Sequence, residues 1–197
     1  MGAPGPRRDD AVNVHRNTGL TRRQHGVTLI EQIMVLIIVA VLLGMAIPSM
    51  KQLLSRNQLQ VAQTDFIAAL KHARATAVTT GKHTLFCPTR DGNSCSAETR
   101  WDNGWLLGHD ADRNNQPDHG ALYTGAGYAD GLIVRSSSGR RFVRFQPDGS
   151  ASGSNITLLF CQRSKPQHTL SVVVSNMGRV RGAPASASQV TECAQAD

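Results

Sequence analysis

Gly26-Val27-Thr28-Leu29-Ile30-Glu31, followed by an apolar run that reaches Ile47 and stops at Pro48, decides how this chain folds. From Ile33 to Ile47 no polar side chain interrupts the run, yet Glu31 and Gln32 stand at its leading edge. At about 1.5 Å per residue, a helix from Val27 to Ile47 spans roughly 30 Å, enough for a bilayer. A secretory signal would close its apolar stretch with a small-residue cleavage site. Ala46-Ile47-Pro48 is a poor match to one, and helical spacing of apolar residues resumes beyond it. Glu31 is the anomaly: a charge costs roughly 2.5–3.5 kcal/mol at mid-membrane on insertion scales, so it wants a partner. Thr28 and Glu31 also have capping-box spacing, which would satisfy first-turn amides. A cap explains where the helix starts and leaves its entry into lipid unexplained.

Past Pro48, apolar residues recur at Leu59, Ala62, Phe66, Ala69/Leu70, Ala73 and Ala77, the spacing of one buried helical face. Gln63, Asp65, Lys71 and Arg74 fill the opposite face. Gly81 suits the residue after the helix end, and Gly44 with Pro48 is expected to bend or loosen the helix near the membrane exit. Short runs of strand type follow: Thr84–Cys87, Trp105–Gly108, Leu132–Arg135, Phe142–Phe145, Ile156–Cys161 and Thr169–Ser175. Turn chemistry separates them, notably Gln146-Pro147-Asp148-Gly149 and Asn176-Met177-Gly178. The expected fold class is α+β, one long helix whose second half packs on an antiparallel sheet. No internal repeat is visible.

The N-terminal signal resembles that of type IV pilins and pseudopilins. The resemblance implies a cytoplasmic leader, residues 1–26, that a prepilin peptidase removes between Gly26 and Val27, followed by methylation of the new N-terminus. It implies that Glu31 neutralises the terminal amine of a neighbouring pilin subunit during filament assembly. The family usually has Phe after the cut, where this chain has Val27. The leader is longer than usual, which leaves open a translation start downstream of Met1. The implied organisation is a long N-terminal helix over 27–81, with a transmembrane part at 27–48, and a β-rich periplasmic head over 82–197. Arg22 and Arg23 beside the apolar run predict a cytoplasmic N-terminus. The implied localisation is the bacterial inner membrane in a single pass, then a pilus fibre at the cell surface.

The segment after Gly26 carries sixteen Lys/Arg against twelve Asp/Glu, a net of +4 within the whole chain's +7. Distribution matters more: residues 90–130 hold three Arg against seven acids, and residues 131–197 hold eight Lys/Arg against three acids. A basic end favours polyanionic partners, although a solvated surface explains the same charge. Four cysteines, Cys87, Cys95, Cys161 and Cys193, suit an oxidising compartment and allow three pairings. Nearness in sequence favours Cys87–Cys95 and Cys161–Cys193, the second tethering a tail (183–197) too small and polar to fold alone. No CxxC occurs and no His sits at ligand spacing, so no metal and no cofactor is expected.

Head motifs narrow the resemblance to the GspH/FimT family of minor pilins and pseudopilins. Ala73-Arg74-Ala75-Thr76-Ala77-Val78 leading to Thr84-Leu85-Phe86-Cys87-Pro88 is similar to its passage from helix to first strand. Trp101-Asp102-Asn103-Gly104-Trp105 with Asp110-Ala111-Asp112-Arg113-Asn114 resembles its central hairpin. Phe145-Gln146-Pro147-Asp148-Gly149 and Ser175-Asn176-Met177-Gly178-Arg179-Val180-Arg181 resemble its late turns. In FimT-type minor pilins a GRxR motif at this place is implicated in DNA binding during natural transformation, and Gly178, Arg179 and Arg181 match it. The implied partner is double-stranded DNA. On an extended segment Arg179 and Arg181 would project together, and two guanidinium forks suit phosphate. Lys165, Arg163, Arg140 and Arg141, with Arg135 and Arg144, could extend the basic surface, while Phe142 and Phe145 read as core. Two readings compete: a minor pilin that primes assembly without touching DNA, and a GspH-type pseudopilin of type II secretion.

Asp110 to Asp118 places oxygen ligands at alternating positions, faintly like a calcium loop. An EF-hand needs Gly sixth and Glu twelfth, and here those are Asn115 and Ala121, so a polar hairpin turn is the better reading. His72, His83, His109, His119 and His168 lack a neighbouring Ser or Cys motif for an activated nucleophile, and no enzyme is expected. Trp101 and Trp105 are expected to pack the head.

Overall fold

The computed structural model describes Gly26 and residues 28–128, 131–136, 139–162 and 165–195. Val27, Arg163 and the leader up to His25 therefore lie outside the described residues. The chain divides into two compact units at Met45/Ala46, and helix α1 (Leu29–Thr80) contributes to both.

In the first unit, α1 starts where Thr28 caps it: Thr28 Oγ1 accepts from the Glu31 amide at 3.4 Å, and the Thr28 carbonyl accepts from Gln32 at 3.2 Å. Leu29–Ile47 is the one stretch, among the described residues, long and apolar enough to cross a membrane, and all of its side chains are exposed. The helix is not interrupted at Gly44 or Pro48. Pro48 lacks the amide that would bond the carbonyl four residues back, which belongs to Gly44, so both residues act on one missing hydrogen bond.

The second unit holds the rest of α1 and eight strands: β1 (Thr84–Pro88), β2 (Gly104–His109), β3 (Tyr123–Ala126), β4 (Leu132–Ser136), β5 (Val143–Phe145), β6 (Ile156–Gln162), β7 (Leu170–Val174) and β8 (Val180–Pro184). A short helix α2 (Ala187–Ala194) ends it. The strands form two antiparallel four-stranded sheets, ordered β3-β2-β1-β5 and β4-β6-β7-β8. This corrects the expected single sheet. Two strands absent from the sequence reading, β3 and β8, are both edge strands, and each pairs along one side only.

The helical face foreseen from spacing is the buried one: Leu59, Ala62, Phe66, Leu70, Ala73 and Ala77 lie in one core with residues of both sheets. Phe66 is its centre, with ring contacts at 5.2–6.4 Å to Phe86, Trp101, Trp105, Tyr128 and Phe160. Four of these pairs are edge-to-face and the Tyr128 pair is stacked, arrangements that contribute about 0.5–1.5 kcal/mol each beyond area burial. A single helical side chain thus ties β1 and β2 of one sheet to β6 of the other.

The four cysteines form Cys87–Cys95 and Cys161–Cys193. The tail tethered by Cys161–Cys193 carries a helix. Ser186 and Gln189 make a reciprocal capping box, and α2 packs over the face of the second sheet where Ile133, Leu159 and Cys161 meet Cys193. Arg135 adds an ion pair to Glu192 at 3.4 Å.

Candidate functional site

The end of α1 organises the region where the basic motif sits. Arg74 donates its Nε to the carbonyl of Gly149 at 2.9 Å. Gly149 closes the β5–β6 turn by donating to the Gln146 carbonyl at 2.8 Å. The β7–β8 turn, Ser175 to Arg179, lies against it: Gly178 donates to the Ser175 carbonyl at 2.8 Å, and Ala151 donates to the Asn176 carbonyl at 2.8 Å. Gly178 has φ +71°, and a Cβ there would stand 1.9 Å from the Gly149 carbonyl oxygen. Only glycine fits. Three sequence motifs that look unrelated along the chain therefore converge on one carbonyl.

Arg179 is fixed at the backbone, donating to Ser175 Oγ at 3.2 Å while its carbonyl accepts from Ser175 at 3.1 Å. Arg181 lies in β8, paired with Val173. A Cβ on Gly182 would meet Gln63 and Ile67 of α1, and Val180 packs on the core, so Arg181 occupies the alternate position that faces away from the helix. Both arginines are exposed, and among the described residues neither guanidinium has a partner.

Most other arginines of the head are occupied. Arg90 pairs with Glu98, Arg100 with Asp102, Arg135 with Glu192 and Arg144 with Asp110. Arg113 donates to His83 Nε2, and Arg140 donates to the Gly153 carbonyl at 3.0 Å. Of the residues offered as extensions of the basic surface, Arg135, Arg140 and Arg144 are thus structural. Arg141 and Lys165 have no side-chain partner among the described residues. Neither they nor Arg140 lines the groove beside Gly178. Lys165 precedes β7, a strand length of about 16 Å from the turn. Arg140 and Arg141 lie between β4 and β5, where Arg140 is held to the Gly153 carbonyl. Arg163 lies outside the described residues.

What the fold places beside Arg179 instead is the polar face of α1. A groove of about 450 Å3 runs between the helix and the β7–β8 turn, lined by Lys71, Arg74, Val78 and Arg179 among others. No acidic side chain lines it. Lys71 and Arg74 were legible as the solvent face of the helix, but their nearness to Arg179 depends on the path of β8, which its Gly-Ala-Pro ending disguised.

The hairpin loop between β2 and β3 has its own electrostatics. Asp110 is fully buried, and its Oδ2 accepts from Arg144 Nε at 2.9 Å and Nη2 at 2.6 Å. Carboxylate oxygens of Asp110, Asp112 and Asp118 come within 4.8 Å of one another. Asp112 accepts from the Asn114 amide at 3.1 Å, and Asp118 from the Ala111 amide at 2.8 Å, so the loop is knit by its own backbone around Arg144. Phe142 is half-buried under the Arg144 guanidinium at 5.2 Å, and Phe145 is in the core. Burial first, then Arg113 and Arg144, lowers the pKa of His83.

Residues 62–178 match the family of type II transport protein GspH, and residues 21–47 match the prokaryotic N-terminal methylation motif. A pilin-like protein of Thermus thermophilus is 31% identical over 175 residues, which cover 82% of this chain and 99% of that protein. The type IV minor pilin FimU of Pseudomonas aeruginosa has the same fold in two crystal forms. TM-scores are 0.55 and 0.52 at 23% and 21% identity, over 66% and 64% of this chain and 91% and 92% of FimU. With a family match over more than half its length and a pilin-like relative along most of it, the chain belongs to the GspH family of type IV pilin-like proteins.

Proposed function

We propose that this protein is a minor pilin of a type IV pilus that binds double-stranded DNA without sequence preference, supporting DNA uptake in natural transformation. The observation that carries the reading is the pair Arg179 and Arg181, exposed and unpartnered on a rigid hairpin while most neighbouring arginines are engaged. Such a pair suits phosphate, because a guanidinium fork offers two parallel donors and so loses less rotamer entropy per hydrogen bond formed. β8 is an edge strand, and two arginine forks on it meet phosphates rather than base edges, so contacts stay on the backbone. Affinity is then weak and falls with salt as counterions return. Several copies along a fibre would raise it through effective concentration.

The N-terminal half serves the same reading. Prepilin peptidase cuts between Gly26 and Val27, Leu29–Ile47 anchors the subunit in the inner membrane with the head in the periplasm, and Glu31 docks it to neighbouring pilin subunits. The test is retardation of duplex DNA by the full chain in neutral detergent, compared with Arg179→Gln plus Arg181→Gln. Loss of retardation in the double variant supports the assignment. Equal retardation by both proteins at moderate salt removes it, and leaves an assembly-priming pilin or a secretion pseudopilin.

A further inference from the structure

Lys71 and Arg74 lie three residues apart on one face of α1, separated by a rise of about 4.5 Å. With Arg179 they place three cations around a single groove whose remaining walls include Ala75, Val78 and Val180. Lys71 has no partner among the described residues, and Arg74 commits only its Nε, to the Gly149 carbonyl. Holding three like charges beside apolar walls, with no acid in the lining, is repulsive unless an anion joins them. The contrast is the groove on the other side of the helix, about 540 Å3, which carries Asp65 beside Trp105 and Tyr128 and no Lys or Arg. Positive charge is thus concentrated on one flank of α1, the flank that faces the β7–β8 turn.

We infer that α1 supplies half of the nucleic-acid site, with Lys71 as a direct phosphate contact and Arg74 as a second. This rests on the reading of Arg179 and Arg181 as DNA contacts. Arg179 belongs both to the groove and to the hairpin pair, so a phosphate chain held by Arg179 lies beside α1. From Lys71 to Val78 the helix rises about 10 Å, the axial length of about three phosphates on one strand. Arg74 has two tasks in this arrangement. Its Nε fixes the turn that presents Arg179, and its terminal nitrogens add to the charge of the groove. The groove recognises the phosphodiester chain and is indifferent to the bases.

The full chain in neutral detergent is titrated into a labelled duplex across a range of salt, and binding is read by fluorescence anisotropy. Lys71→Gln is expected to weaken binding about three- to tenfold at low salt and to flatten the slope of log K against log salt by about 0.9, one phosphate contact. Lys71→Arg restores both. Arg56→Gln, an exposed cation on the same helix about 22 Å away, removes the same charge and stays within about twofold of the parent. Circular dichroism and melting of Lys71→Gln should match the parent, since Lys71 is exposed and unpartnered. If Arg179→Gln weakens binding and Lys71→Gln does not, the helix is no part of the site and this inference fails alone. If Lys71→Gln and Arg56→Gln weaken it equally, Lys71 acts through net charge and the inference again fails. If Lys71→Gln weakens binding while Arg179→Gln and Arg181→Gln are silent, the hairpin reading falls and the inference that rests on it falls with it. A parent that binds no duplex at low salt overturns both.

Discussion

The Gly149 carbonyl that accepts from Arg74 at 2.9 Å is the same atom a side chain on Gly178 would strike at 1.9 Å. One oxygen therefore couples the end of the long helix, the β5–β6 turn and the hairpin that presents the two free arginines. The hairpin is rigid because its approach to that oxygen leaves no room for a Cβ, and because its φ at Gly178 belongs to glycine.

Gly178→Ala tests this coupling. A left-handed φ costs an alanine about 1–2 kcal/mol, and the collision must be relieved by moving the turn off Gly149, which adds a comparable amount. The expected loss is about 2–4 kcal/mol, read as a lower urea midpoint with unchanged m-value. An unchanged midpoint would show that the turn has room the structure does not give it.

Asp110→Asn addresses the other charged centre. The carboxylate of Asp110 is wholly buried and holds Arg144 through two hydrogen bonds, and Arg144 also reaches Asn115 at 2.7 Å. Removing the negative partner leaves a largely buried guanidinium uncompensated, a change that costs about 3–5 kcal/mol in comparable pairs. Asn115 offsets part of it, so a loss of about 2–4 kcal/mol is expected in chemical unfolding. Replacing both residues by apolar ones of similar size should cost less than Asp110→Asn alone, and the opposite order would mean that the pair is not the source of the effect.

The α1 core face was legible because a 3.6-residue period is carried by large apolar residues and alanines from Leu59 to Ala77 without exception. Six strands were legible because β-branched and aromatic residues mark them. β3 and β8 were not, since Tyr123-Thr124-Gly125-Ala126 and Val180-Arg181-Gly182-Ala183-Pro184 hold small residues where close neighbours demand them. Gly125 accommodates the Trp105 ring, and Gly182 lets the helix approach, so tertiary packing decided what local propensity concealed. The helix α2 had a readable signal in Ser186 and Gln189 at capping-box spacing, outweighed in reading by its small polar composition. Arg179 and Arg181 were legible as a motif. Their neighbours Lys71 and Arg74 were not, because that pairing spans more than a hundred residues and depends on where an edge strand returns.

His83 should make stability depend on pH. Burial, followed by the Arg113 and Arg144 charges, lowers its pKa from 6.5, against smaller opposing effects of Asp110 and Asp148. The unfolded chain then binds the proton more readily than the folded one, so stability is complete above about pH 6.5 and declines as pH falls below it. One proton limits the slope to about 1.4 kcal/mol per pH unit. Urea midpoints for the parent and His83→Gln should converge at neutral pH and separate with acidification, the parent falling faster. Parallel curves between about pH 7 and about pH 5 would sink the assignment.

Cys193→Ser opens the bridge that holds α2 to β6. The disulfide joins residues 32 apart in sequence, and the chain-entropy account assigns about 3–4 kcal/mol to a loop of that size. Among the described residues, the remaining contacts of α2 include its capping box, the Arg135–Glu192 pair, a small cluster around Ile133 and Leu159, and the short helical turn Pro166–His168. Hydrogen exchange should therefore lose protection throughout residues 187–194 in the variant, while the β6 and β7 amides stay protected beneath the inner core. Global stability should fall by about the disulfide contribution. Retained protection in α2 would mean that side-chain packing alone seats the tail, and the bridge would then be incidental to the fold.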